Sequence, residues 1–278
     1  MSAKQKLKSI LKDNVAFKKQ KNMTRGDLSH RSLYKVKFSS RVFEKKTLEA
    51  SKKYNVVFFV DCSGSMSGRN SCIRQCNEAL KKLINLFNGI VSIGVYGYNC
   101  ILHEIHPVGK KIPGKQYVDD ICWELLAASA QNIGSPGNRT SYSTYEGPHP
   151  TPIRRLNPNK EYNKHYMKGN HDGYLMDQLY LQLQGLKGDT IIVNISDGEP
   201  HCDHGCNCKE KGCGKSSKMA NDLRLAIAGM KKRKIKLVSL GVANHGVKNF
   251  YPVCRTTDKP DDVEQLMVEL LQSQFRRG

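Results

Sequence analysis

Long apolar runs are missing from this sequence. No stretch of the 278 residues approaches the ~20 consecutive apolar positions of a bilayer-spanning helix. The lysine-rich start lacks the apolar core of a secretory signal, so a chain that never meets a membrane, in the cytoplasm, is the expectation. Nucleotide loops are missing too. Gly212-Cys213-Gly214-Lys215-Ser216 comes nearest, but Lys209 stands where the first glycine of such a loop belongs, and no strand leads straight into it. There is one tryptophan, Trp123, which is expected in the core. Acidic residues are scarce, 25 against 45 Lys and Arg, for a net charge of +20. The ten cysteines form no evenly spaced disulfide framework. Cys62, Cys72, Cys76, Cys100 and Cys122 are scattered through predicted strands and helices as small buried or half-buried side chains, which fits a reducing compartment.

What the chain does have is the stretch from Val56 to Gly68. Val56-Val57-Phe58-Phe59-Val60 is β-branched and aromatic, the composition of a buried strand. It stops at Asp61. Ser63 and Ser65 follow, with Gly64 between them, and then a long amphipathic segment begins. A strand, a tight loop and a helix thus place one carboxylate and two hydroxyls at the carboxyl end of a central strand, where open α/β sheets hold their ligands. Hard oxygens of this kind suit Mg²⁺ or Mn²⁺ better than Zn²⁺. A second buried run, Thr190-Ile191-Ile192-Val193-Asn194-Ile195-Ser196, ends in Asp197-Gly198. The plainer reading of Asp61 and Asp197 is that they cap helices or shape turns.

The pattern Asp61-x-Ser63-x-Ser65, followed later by the strand ending in Asp197-Gly198, resembles the metal-ion-dependent adhesion site of von Willebrand factor A (VWA) domains. That resemblance implies a doubly wound, mostly parallel α/β sheet flanked by helices, Rossmann-like in plan, with Asp197 completing the metal site. The lead-in sharpens it. Gly26-Asp27-Leu28 with Leu33, then Arg41-Val42-Phe43 and basic residues, resembles the CobT-type branch, the VWA subunits of cobalt chelatase and their kin. In that branch an Asn-x-Asp-Gly loop stands where other VWA domains use a threonine ligand, and Asn170-His171-Asp172-Gly173 reads the same way. Asn170 falls opposite the usual threonine and Asp172 lies two residues on. Either oxygen could reach the metal, and the one that does not would cap the following helix.

The remaining segments are organised around these loops. Residues 1 to 54 hold 16 Lys and Arg against 4 Asp and Glu, +12 of the total. They read as a basic extension, a short helix or a disordered arm at first, packing beside a VWA domain of residues 55 to 278. Helices are expected from Ser71 to Phe87, Val118 to Ala130, 172 to about Gln184, Met219 to Met230 and 261 to 275. Strands are expected from Ile90 to Tyr98, Ile235 to Val242 and, as an antiparallel edge, Ile101 to Ile105. A long loop, 131 to 168, is rich in Gly, Pro, Asn and Tyr and is placed near the rim of the site. A Cys-rich insert, 201 to 216, holds Cys202, Cys206, Cys208 and Cys213 with His201 and His204. Thiolates so closely spaced suit a structural Zn²⁺, with an iron–sulfur cluster or metal-free thiols as alternatives.

No base, phosphate-binding lysine or nucleophile is paired with the two aspartates, so the chain is expected to be non-enzymatic. The resemblance implies an adaptor. A partner protein would supply a carboxylate to the Mg²⁺ or Mn²⁺, and the partner in the CobT-type branch is an AAA+ ATPase of the CobS/MoxR kind. The Cys-rich insert departs from that branch, so a standalone or phage-borne relative with another target fits as well as cobalamin biosynthesis. Two further classes stay open. A nucleic-acid-associated protein would use the basic arm and a zinc-bound insert. A structural component of a larger assembly would need neither.

Overall fold

The computed structural model describes residues 5, 9, 17–23, 27–28, 43–48, 53–63, 66, 72–99, 102–130, 154–155, 172–198, 200, 216–243 and 246–275. Three strands come first: β1 (Phe17–Met23), β2 (Asp27–Leu28) and β3 (Phe43–Leu48). They form a small antiparallel sheet in the order β1-β3-β2. A helix or disorder expected through residue 22 is therefore corrected: Gln5 and Ser9 are helical, but 17 to 23 are strand. The register explains why the local sequence hid it. Phe17 pairs with Leu48 and Met23 with Phe43, so the apolar partners lie some twenty or more residues apart.

The main sheet follows. Its elements are β4 (Tyr54–Asp61), α1 (Cys72–Phe87), β5 (Ser92–Tyr98), β6 (Leu102–His106) and α2 (Lys115–Ala130). Then come β7 (Arg154–Arg155), α3 (Asp172–Leu183), β8 (Asp189–Ser196) and α4 (Ser216–Lys232). The chain closes with β9 (Lys236–Val242), β10 (Cys254–Thr257) and α5 (Val263–Phe275). The seven strands run in the order β10-β9-β8-β4-β5-β6-β7. The first five are mutually parallel; β6 is antiparallel to β5, and β7 to β6. This is the expected doubly wound α/β sheet.

Every residue of β4 is buried, because both faces of the sheet are covered. Val56, Phe58 and Val60 join one core, shared with Leu80, Leu83, Ile84 and Phe87 of α1, Val118, Ile121 and Leu125 of α2, and Met267, Leu270 and Leu271 of α5. Val57 and Phe59 join the other, with Leu175, Met176 and Leu179 of α3 and Leu223, Ala226 and Met230 of α4. Each such side chain removed from water is worth about 1.5–3 kcal/mol, which is what holds a strand this apolar at the centre.

Three further expectations are corrected. The antiparallel strand at 102–106 is not the edge, since β7 pairs outside it through His103 and Glu104. Trp123 is half-buried, off the stripe of Val118, Ile121, Leu125 and Ala128 that faces the core. Strand β10 was not anticipated, because four residues reading Cys-Arg-Thr-Thr carry no apolar alternation.

Helix α3 lies close on α4. A Cβ at Gly173 would stand 2.6 Å from the backbone of Asp222 and Leu223, so only glycine lets the two helices meet there.

Candidate metal centre

The chain order 4, 5 on one side of β4 and 8, 9 on the other makes β4 and β8 the strands where the winding reverses. Ligand sites of open α/β sheets lie at the carboxyl ends of such a pair. Asp61 ends β4, Ser196 ends β8, and Asp197 follows it at the half-buried bend. The two loops are tied together directly. The Ser196 hydroxyl donates to Asp61 Oδ2 at 2.9 Å, and the Ser63 N–H donates to Asp61 Oδ1 at 2.8 Å. The Gly198 N–H in turn donates to Ser196 Oγ at 3.2 Å, which fixes the turn that presents Asp197.

Asp172 arrives from above as the first residue of α3, 2% exposed. Its Oδ2 lies 3.4 Å from the Tyr98 hydroxyl. Burial, then the charge of Asp61, hold its carboxyl well above the usual carboxylate range, and Asp197 adds to the effect. Burial and then Asp172 and Asp61 likewise raise the hydroxyls of Tyr98 and Tyr251. These mutual effects place Asp61, Asp172, Asp197, Tyr98 and Tyr251 in one electrostatic neighbourhood.

Of the residues expected at the metal, Asp61, Ser63, Asp172 and Asp197 are thus brought together. Ser65 and Asn170 lie outside the described residues, as do Cys202, Cys206, Cys208, Cys213, His201 and His204 of the Cys-rich insert. Among the described residues, no three His, Cys, Asp or Glu side chains make a closed cage by themselves. An adhesion-type site does not require one, since it completes its shell with hydroxyls.

The residues present fit a divalent cation on two observations. Asp172 Oδ1 is buried without a hydrogen-bond partner, and so is the hydroxyl of Tyr251, 3% exposed. A buried polar atom left unsatisfied costs about 1–3 kcal/mol, more for a charged group. A cation would give the unpaired carboxylate oxygen a partner and remove the repulsion between Asp61 and Asp172. Carboxylate and hydroxyl oxygens suit Mg²⁺ or Mn²⁺.

The chain matches no protein-family model and no curated protein sequence. It does match solved structures. A von Willebrand factor type A protein from Catenulispora acidiphila aligns over 81% of this chain and 43% of its own, with 12% identity and a TM-score of 0.50. The pilus adhesin SpaC of Lactobacillus rhamnosus GG, in an open conformation, aligns over 82% of this chain and 31% of its own, also with 12% identity and a TM-score of 0.50. The fold is that of a von Willebrand factor A domain. A third VWA-like neighbour, mussel byssus proximal thread matrix protein 1 with a zinc-occupied MIDAS motif, has 10% identity over 80% of this chain and 48% of its own, at a TM-score of 0.47. The chain therefore spans less than half the length of these three, and at such identities the likeness is one of fold.

Within the VWA fold, sequence reasoning missed Tyr98, Asn194, Ser196, Ser239 and Tyr251. The signal available was slight: Asn194 and Ser239 each interrupt an apolar strand, and they turn out to be register partners across β8 and β9.

The described cysteines have the structural role expected. Cys62 and Cys76 are buried, and Cys122 and Cys254 are half-buried. Burial raises the Cys62 thiol and pushes that of Cys122 up to about 12, so neither is a thiolate at neutral pH.

Proposed function

We propose that this chain is a non-catalytic adaptor whose VWA fold binds a protein partner through Mg²⁺ or Mn²⁺ held by Asp61, Ser63, Asp172 and Asp197. The observation that carries the reading is the buried meeting of Asp61 and Asp172 at the sheet's reversal point, with Asp172 Oδ1 unpaired. An open coordination position on the ion takes a carboxylate from the partner. The partner we favour is an AAA+ ATPase of the CobS/MoxR kind, on the resemblance of residues 25 to 46 and of the Asn170–Gly173 loop to the CobT-type branch. The target that the pair remodels follows from the partner rather than from this chain, and cobalt insertion is one candidate.

The test is direct binding of a purified CobS/MoxR-type ATPase by the full chain, with 1 to 5 mM Mg²⁺ as an order-of-magnitude excess or with EDTA. Binding that requires Mg²⁺ and is lost in Asp61→Ala supports the reading. Binding indifferent to EDTA and to Asp61→Ala overturns it.

A second reading has one observation in its favour. In the small sheet, Lys19 pairs directly with Lys46, and Gln20 with Lys45. Like charges directly opposite are destabilising, and a polyanion lying on the sheet relieves them. Single-stranded RNA or DNA would then bind with a steep salt dependence and no need for Mg²⁺. A filter-binding series in rising salt, with and without EDTA, separates the two readings.

A further inference from the structure

A chain of buried polar groups crosses the sheet beneath the candidate metal centre. Ser239 on β9, Asn194 on β8 and Tyr98 on β5 are 0% exposed, and each interrupts an apolar layer. Asn194 Nδ2 donates to Ser239 Oγ at 3.1 Å, which fixes which way the amide faces. Its Oδ1 is thereby turned to the Tyr98 hydroxyl, 3.0 Å away. The Tyr98 ring is held as well: it stacks on Phe59 of the intervening strand β4, with centroids 3.9 Å apart and planes 17° apart. Both ends of the tyrosine are therefore fixed, and its hydroxyl is the group that touches Asp172 Oδ2, at 3.4 Å. The other oxygen, Oδ1, is left buried and unpartnered.

We propose that Asp172 gives its Oδ1 directly to the ion, and that Tyr98, braced by Asn194, Ser239 and Phe59, is a positioning residue that holds this carboxylate in the liganding orientation. The inference rests on the metal-site reading above and deepens it. Metal ligands are commonly oriented by such outer partners, whose removal costs 10- to 100-fold in affinity as an order of magnitude. An aspartate whose two oxygens are divided in this way, one tethered and one free, differs from a helix cap, whose oxygens serve the helix's own first N–H groups.

The experiment is a Mn²⁺ titration of the full chain, read by the loss of the free-ion EPR signal, for the wild type, Tyr98→Phe, Asp172→Asn and the double variant. The expected result is a weakening of about 10- to 100-fold in Tyr98→Phe. The double variant is expected to bind no more weakly than Asp172→Asn alone, because the tyrosine acts only through that carboxylate. Losses that simply add would mark Tyr98 as a packing residue and overturn the proposal. Wild-type affinity in Asp172→Asn would overturn it too while leaving a metal site elsewhere in the loops intact. No Mn²⁺ binding by the wild type would overturn the metal centre itself. If Tyr98→Phe does not fold, Ser239→Ala serves: it frees the Asn194 amide, and a several-fold weakening supports the brace, whereas wild-type affinity overturns it.

Discussion

The two faces of β8 carry opposite contents. Ile191, Val193 and Ile195 point into an all-apolar layer with α1, α2 and α5. On the other face, Ile192 is followed toward the carboxyl end by Asn194 and Ser196, and there the neighbours on β4, β5 and β9 are Asp61, Tyr98 and Ser239. Both layers are dry. One is held by area removed from water, the other by hydrogen bonds that must all be made at once. The difference teaches where the fold can tolerate a functional site: on the face whose core is already polar, at the end where α3 delivers a carboxylate.

Substitutions on neighbouring residues of the same strand sharpen that contrast. Ile195→Ala on the apolar face is expected to cost about 2–5 kcal/mol, as a cavity with no escape, and to leave metal affinity alone. Urea unfolding and the Mn²⁺ titration measure the two quantities on one sample. A second effect separates the polar groups that belong to the site from one that does not. His106 is buried on β6, with Nδ1 3.2 Å from the Tyr117 hydroxyl, and burial lowers its pKa to about 4 from the ordinary 6.5. The ring is neutral in the fold and takes a proton more readily when unfolded. Its contribution is present in full above pH 6.5 and is lost as pH falls from there toward about 4, up to about 3 kcal/mol in all. His106→Gln should flatten that part of the acid-unfolding curve; an unchanged slope between those pH values would show that the ring does not titrate there. The smallest stability effect is expected from Asn194→Ala, about 1–3 kcal/mol for the partners it leaves unsatisfied. Its effect on Mn²⁺ affinity should nevertheless exceed that of Ile195→Ala. The reverse ranking in affinity would erase the distinction between the faces.

Much of this was legible in the sequence because it is local. Apolar runs that end in Asp61 and Asp197 announce both the strands and the carboxylates at their ends. The stripe Cys76, Leu80, Leu83, Ile84 and Phe87 announces α1 by spacing alone. What stayed hidden depends on sheet order. Tyr98, Asn194 and Ser239 look like isolated polar residues in buried strands until the order β9-β8-β4-β5 sets them side by side. Strands β1 and β3 were hidden for the same reason, since neither alternates strongly enough alone. Trp123 misled because size was allowed to stand in for position on the helix.

The contact at Gly173 has a mechanical consequence. With backbone against backbone, α3 has no side-chain cushion on which to slide, and the residue just before that glycine carries the free carboxylate oxygen. Opening or closing of the cradle therefore cannot be a hinge in one loop: Asp172 travels only if α3 and α4 swing as a single lever.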